Sequence, residues 1–224
     1  MTDYTLIRSK RHTLALYVRK GGVEVRAPLE TPKGKIDKFV ESKQKWIADK
    51  LTKLAEMENK RWNFTVNYGD TLTYREKEYP IAARDGQSIG FDDERFYMPP
   101  GLSPEQVKII CVQIYRMLAK RDLTHKTLEF AKLMNVTPAS VKINGATSRW
   151  GSCSGRKNIN FSWRLIMACD DVIDYVVVHE LAHLTEMNHS ARFWNIVGSV
   201  LPDYCQRIAR LKELQRRLSC ENWK

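Results

Sequence analysis

Over the first thirty positions apolar residues recur with period two: Leu14, Leu16 and Val18, then Val23 and Val25, with Gly21-Gly22 between them. Alternation on both sides of a glycine pair predicts a β-hairpin. The period then changes. Ile36, Phe39, Val40, Ile47, Leu51 and Leu54 fall at helical spacing with lysines on the opposite face, which predicts an amphipathic helix. From 64 to 98, short β-like runs alternate with turn signals at Gly69-Asp70, Asp85-Gly86 and Asp92-Asp93, the pattern of a meander.

The second half reads as mostly helical. Ser103, Pro104 and Gln106 supply a cap, a first-turn proline and the closing residue of a capping box. A long helix, or a pair broken near Asp122, should run from there to about Met134, where Asn135 and Pro138 stop it. Val141–Ile143 reads as a short strand. Ile159, Phe161 and Trp163 alternate with Asn158, Asn160 and Ser162, which predicts another strand reached through the turn CSGRKN. A helix opening near Asp170 or Asp171 carries VIDYVVVHELAHL, apolar on most sides and so largely buried. Ser190 can cap a further helix containing Phe193, Trp194 and Val197, whose aromatics read as core. The last helix places Ile208, Leu211, Leu214 and Leu218 on one side; Arg207, Arg210, Arg216 and Arg217 form a solvated face. There is no internal sequence repeat.

Length and composition add limits. At 224 residues with 43% hydrophobic and 28% charged side chains, the chain can build one substantial core with a smaller module. No run approaches ~18 apolar residues and the start lacks a signal-peptide core, so a cytoplasmic protein with no membrane partner is expected. Five scattered cysteines, none in a Cys-x-x-Cys pair, suggest neither a disulfide framework nor a structural zinc knuckle. The net charge of +11 is concentrated at the ends: +6 over residues 1–60, +4 over 190–224 and zero over 135–189. Nucleic acid, a nucleotide or an acidic protein would suit such a surface, and so would plain solvation.

The most specific chemistry lies in HELAHLTEMNH, which spends three of the five histidines in eleven positions. His179 and His183 stand one helical turn apart, so both imidazoles can reach one point. His-Glu-x-x-His on a helix is a zinc arrangement in which the glutamate, here Glu180, acts as general base on water. A pair of packing histidines is the plainer alternative. His189 can supply a third ligand only if the helix ends first. Glu186 occupies the position where such patterns often carry glycine, so Asn188, tolerant of the left-handed region, is the better turn residue. Glu186 is also a rival ligand, because it lies on the face of His179; His189 is preferred.

SRWGSCS at 148–154, the strand NINFSW, and then VVVHELAHL, NHS and FW together resemble the YgjP-like metallopeptidase domain, a zincin group related to SprT-like and WLM proteins. The resemblance is strongest over 148–194 and follows the element order of nearly the whole chain. It implies an α+β fold: a zincin-like core over 100–224 with the HExxH helix, preceded by a small β-rich region over 1–99. It also places His179, His183 and His189 on the family's presumed zinc ligands and Glu180 on its catalytic glutamate. Most relatives are regarded as peptidases, and a nucleoside-triphosphate pyrophosphatase activity on UTP has been attributed to the group.

Both chemistries could use one centre. Three protein ligands leave a fourth zinc position for water. A peptide or protein substrate would lie extended along an exposed strand edge, for which the 158–163 strand is the expected one. A nucleoside triphosphate would need cationic donors, for which Arg149, Arg156 and Lys157 are available, and could bring Mg²⁺ or Mn²⁺ with it. Arg149 could equally pair internally with an acid such as Glu186, the preferred reading, which makes Glu186 a supporting residue. Trp150 reads as core, Gly151 as the site of a tight backbone approach, and Cys153 as a packing thiol. A third reading is a nucleic-acid-binding module with structural zinc, although structural sites usually close with four protein ligands.

Overall fold

The computed structural model describes residues 2–223 and is α+β, with six α-helices and three small sheets among them. Contacts divide the chain into two compact units. One runs through Phe64 and includes Ser219–Asn222; the other comprises Thr65–Leu218 with Trp223. The division therefore falls after Phe64, not at the 99/100 boundary drawn from the sequence. Strands between 71 and 98 belong with the histidine-bearing unit because their aromatics pack there: Phe96 lies 5.4 Å from Tyr115, ring centre to ring centre.

In the first unit, β1 (Tyr4–Ser9), β2 (Ala15–Arg19) and β3 (Gly22–Pro28) form one sheet. The expected hairpin is present as the β2–β3 antiparallel pair, turning before Gly22 at φ +111. The single helix expected next is two, α1 (Lys33–Ser42) and α2 (Gln44–Trp62), separated at Lys43. Val23, Val25 and Ala27 of β3 bury against Ile36, Val40 and Ile47, which explains the change of period at that point.

The second unit opens with β4 (Thr71–Tyr74), β5 (Lys77–Ala83), β6 (Gly90–Phe91) and β7 (Phe96–Met98), in the order β4-β5-β7-β6. It is not a meander, because β5 and β7 pair in parallel. The two-residue turn Arg75-Glu76 has positive φ at both positions, a strained conformation for residues with a Cβ. Main-chain bonds offset that cost: Arg75 N–H donates to the Ile166 carbonyl (2.8 Å) and Glu76 N–H to that of Met167 (3.3 Å).

Helix α3 (Pro104–Leu133) begins with the complete Ser103/Gln106 capping box, passes Asp122 without a break and stops before Asn135, whose φ is +52. Asp122 is buried because it is satisfied there: Tyr74 Oη donates to it at 2.5 Å and Arg121 Nε at 2.7 Å. The third sheet holds β8 (Ser140–Asn144), β9 (Gly151–Cys153) and β10 (Asn158–Ser162) in the order β8-β10-β9. Trp163 opens a 3-10 turn, Trp163–Met167, and stacks on Tyr115 at 5.3 Å. Helices α4 (Asp170–Ala182), α5 (Ala191–Val200) and α6 (Tyr204–Leu218) complete the unit. No helix among the described residues is long and apolar enough to cross a membrane.

The same arrangement occurs in all three sheets. In β1/β2/β3, β5/β6/β7 and β8/β9/β10, the third strand lies between the first two, parallel to the first and antiparallel to the second.

Candidate metal centre

Helix α4 is held in place before its histidines begin. Val172, Ile173, Tyr175, Val176, Val177, Val178, Leu181 and Ala182 are buried, so most of its circumference is core. Asp170 and Asp171 in the first turn suit the positive end of the helix dipole. They also meet cations from three other elements. Lys126 of α3 lies 2.5 Å from Asp174 and 3.3 Å from Asp170, and Arg75 lies 3.6 Å from Asp170. Arg207 of α6 donates to the Asp171 main-chain carbonyl at 2.9 Å, and Arg210 pairs with the Asp171 carboxylate. Arg207 and Arg210 are therefore tethers of α4, not the solvated face expected.

The helix ends at the second histidine. His183 is the C-terminal cap, and the amides of Leu184, Thr185 and Glu186 donate back to Leu181 or Ala182. The chain then bends. Asn188 does not have the left-handed φ expected of it. The turn is instead closed by Ser190 N–H donating to the Asn188 carbonyl at 2.8 Å, while Ser190 Oγ caps α5 by accepting from Phe193 N–H. His189, the residue before that cap, is thereby directed back toward α4.

The three imidazoles converge. Ring centres are 5.0 Å apart for His179–His183, 5.0 Å for His179–His189 and 4.8 Å for His183–His189. One ligand atom from each lies within 4.8 Å of the others, and among the described residues this cluster contains no Glu186 oxygen. Nε2 of His189 is 3.0 Å from Nε2 of His179. Phe193, fully buried, sits 4.6–4.9 Å from all three rings, and Trp194 stacks on His189 at 5.8 Å. These two aromatics, read from sequence as general core, support the histidine cluster.

Outer hydrogen bonds orient the rings. Nδ1 of His183 lies 3.1 Å from the Glu186 carbonyl oxygen, so Glu186 contributes through its main chain. Nδ1 of His179 lies 3.3 Å from the Tyr175 hydroxyl. Tyr175 was not anticipated, yet it stands one turn before His179, a spacing readable from the sequence. With Nδ1 engaged, Nε2 of His179 is left for the centre. Burial, reinforced by His183 and His189, pushes His179 down to about 3, and burial also lowers His183. Neutral imidazole is the form that binds metal. A tetrahedral zinc with Zn–N ~2.0–2.1 Å spaces its donors ~3.3 Å apart, within the range this cluster offers. Three imidazole nitrogens beside a buried carboxylate fit zinc with one position left open.

That carboxylate is Glu180, 6% exposed, with Oε2 lacking any hydrogen-bond partner. Burial, opposed in part by the positive charge of Arg149, raises it to about 7. The backbone of β9 crosses directly over it. A Cβ built on Gly151 would stand 2.4 Å from Glu180 Oε1 and 2.6 Å from its Cγ, so glycine is the residue that lets strand and carboxylate meet. Cys153, two residues on, is a half-buried thiol raised by burial and by Glu180. Trp150 is half-buried as well, not core.

The remaining sequence candidates separate. Arg149 is exposed and forms no ion pair with Glu186 or any other acid among the described residues, so the expected internal pairing is absent. Arg156 and Lys157 are exposed in the β9–β10 turn, Lys157 with φ +58. No hydrogen bond joins them to the histidines. The expected substrate edge also changes. The 158–162 strand is central in its sheet, and β9 is the edge beside Glu180. Ser162 N–H donates to the Trp150 carbonyl and Ser154 N–H to that of Asn158, a register that leaves the N–H and C=O of Gly151 and Cys153 directed away from β10.

A helix-borne His-Glu-x-x-His pair, a third histidine on the following turn and a buried glutamate between them define a metal-dependent hydrolase of the metallopeptidase class. The chain belongs to the YgjP-like, metallopeptidase domain family, whose model matches residues 12–214. Similar solved structures include the metallopeptidase zymogen of Pyrococcus abyssi abylysin, with 19% identity and TM-score 0.38 over 45% of this chain and 97% of that one. The zymogen of Methanocaldococcus jannaschii jannalysin gives 21% and 0.37, covering 42% of this chain and 96% of its own. No curated protein matches the chain.

Proposed function

We propose that this protein is a zinc-dependent peptidase in which His179, His183 and His189 hold the ion and Glu180 is the general base. The observation that carries the reading is a buried carboxylate with an unpartnered oxygen, on the helix that carries two of the clustered histidines and against an open strand edge. Bound zinc supplies Lewis acidity, polarising a carbonyl and lowering the pKa of a water to about 7. Glu180, raised to about 7 itself, is suited to take a proton on Oε2 and return it to a leaving amine. Gly151 and Cys153 offer main-chain donors and acceptors that would hold an extended peptide by strand addition. Arg149, close enough to act on Glu180, would meet a substrate carboxylate or carbonyl. The same guanidinium is the one feature that favours the second reading, pyrophosphate release from a nucleoside triphosphate.

The test pairs the protein with Glu180→Gln, which keeps shape but removes basicity. Both are assayed on a mixed peptide library and on nucleoside triphosphates, with zinc, magnesium and manganese each supplied. Peptide cleavage by the parent that falls ~10²–10⁴-fold in the variant is expected. Pyrophosphate release from UTP without peptide cleavage would replace this reading with the second. Bound zinc measured in His189→Ala and Glu186→Ala checks the ligand set: loss in the first and retention in the second is expected, and the reverse would reassign the third ligand.

A further inference from the structure

Trp62 is 88% exposed, the most exposed of the large hydrophobic side chains among the described residues, and it closes a helix rich in lysine. A free-standing indole on a water-facing helix end contributes nothing to a core, so its setting is informative. Lys20 of the β2–β3 turn, Glu58, Asn59, Arg61 and Trp62 of α2 and Asn222 line a groove of about 510 Å³, all within the first unit. That volume is within the range of small-molecule sites and holds a nucleobase with its sugar. The wall has three kinds of group: one aromatic face, two cationic side chains and neutral or acidic polar atoms. Lys20 is 87% exposed, and its ammonium lies at the rim, 3.2 Å from Glu58. Arg61 adjoins the indole in sequence, beside Lys60 in the last turn.

Charge selects among occupants. The first unit carries 15 basic against 9 acidic side chains over residues 2–64 and 219–222, a net +6, so it complements a polyanion. A membrane surface would need apolar neighbours around the tryptophan to enter the headgroup layer. Here its sequence neighbours and groove partners are Glu58, Asn59, Arg61 and Asn63, all polar. An indole plus spaced cations, with polar atoms to meet base edges, is the chemistry of single-strand recognition.

We propose that this groove binds single-stranded nucleic acid, with an unpaired base stacked on Trp62 and the flanking phosphates met by Lys20 and Arg61. The groove belongs to the first unit and the histidine cluster to the second, and the groove needs no metal. It gives a hydrolase a second function: holding a nucleic acid while the other unit carries out its reaction.

The test uses the full chain and a fluorescein-labelled oligonucleotide of about twelve nucleotides, dT or U, alone and as a duplex, read by anisotropy across a salt series. Single strands should bind more tightly than duplex. Trp62→Ala should weaken them ~5- to 100-fold, and Trp62→Phe should restore most of that loss. Lys20→Gln with Arg61→Gln should flatten the slope of log affinity against log salt by about 1.4 units, about 0.7 for each lost phosphate contact. Circular dichroism checks the fold of each variant, and Glu180→Gln should bind as the parent does. Equal binding by Trp62→Ala and the parent would overturn the proposal, as would single and double strands binding alike. So would failure to bind at low salt, or binding only to vesicles of phosphatidylcholine and phosphatidylserine.

Discussion

Gly151→Ala probes whether strand β9 and Glu180 share one space, and it needs no knowledge of the substrate. An added Cβ would stand 2.4 Å from Oε1 of Glu180, 2.6 Å from Cγ and 2.8 Å from Cδ, while ordinary contact begins near 3.4 Å. Carboxylate or strand must therefore yield by about 1 Å. In a packed site such a displacement costs ~1–3 kcal/mol, and a 1 Å misplacement of a catalytic group can lower turnover ~10²-fold. Glu180→Ala removes all three clashing atoms, so Gly151→Ala should cost almost nothing in that background. Urea unfolding of the parent, the two single variants and the double variant, all in chelator, yields the coupling free energy directly. A value of ~1–3 kcal/mol is expected. Additive costs, agreeing within ~0.5 kcal/mol, would show that the new methyl is absorbed elsewhere, and the account of this glycine would fall.

Two further outcomes follow from the site and its support. Tyr175→Phe removes the hydroxyl at Nδ1 of His179 and should weaken zinc binding ~10- to 100-fold in competition with a chromogenic chelator, with melting of the metal-free protein little changed; unaltered affinity would mean that packing alone orients the ring. Burial, then the bond to Asp122, raises Tyr74 from 10 to about 12. Because the folded value is the higher one, its contribution of ~2–3 kcal/mol is fully present below pH 10 and is lost as pH rises through 12. Unfolding free energies of the parent and Tyr74→Phe should therefore draw together between pH 10 and 12, and a constant gap would contradict the assignment.

Local signals in the sequence were readable where a single residue determines them. The Ser103 cap, the Asn135 stop, the Ser190 cap and the one-turn spacing of His179 and His183 each act within a few positions, and the structure has them in place. What escaped depends on neighbours distant in the chain. Strand order is one case: alternation marks Asn158–Ser162 as a strand but cannot say that it lies at the centre of its sheet and that Gly151–Cys153 forms the edge. The α6 arginines are another, since a helix face that looks solvated alone becomes a set of tethers once Asp171 lies opposite. Arg149 went the other way: Glu186 serves His183 through its main-chain carbonyl, and no ion pair joins its carboxylate to the guanidinium.

The repeated strand order has a consequence for synthesis. In each sheet the central strand is the last of its three to be made, so the first must wait without its parallel partner until the chain has turned back. For the sheet beside α4 that wait runs from Ser140 to Asn158, the residue it pairs with. A β9–β10 hairpin closes a short loop and can form at once; β8 can join only afterwards. While it waits, β8 is an unpaired strand on an emerging chain, the kind of segment on which misassembly begins. Nascent chains halted between 144 and 158 should therefore be the most prone to aggregate, and those extended past 162 should be protected.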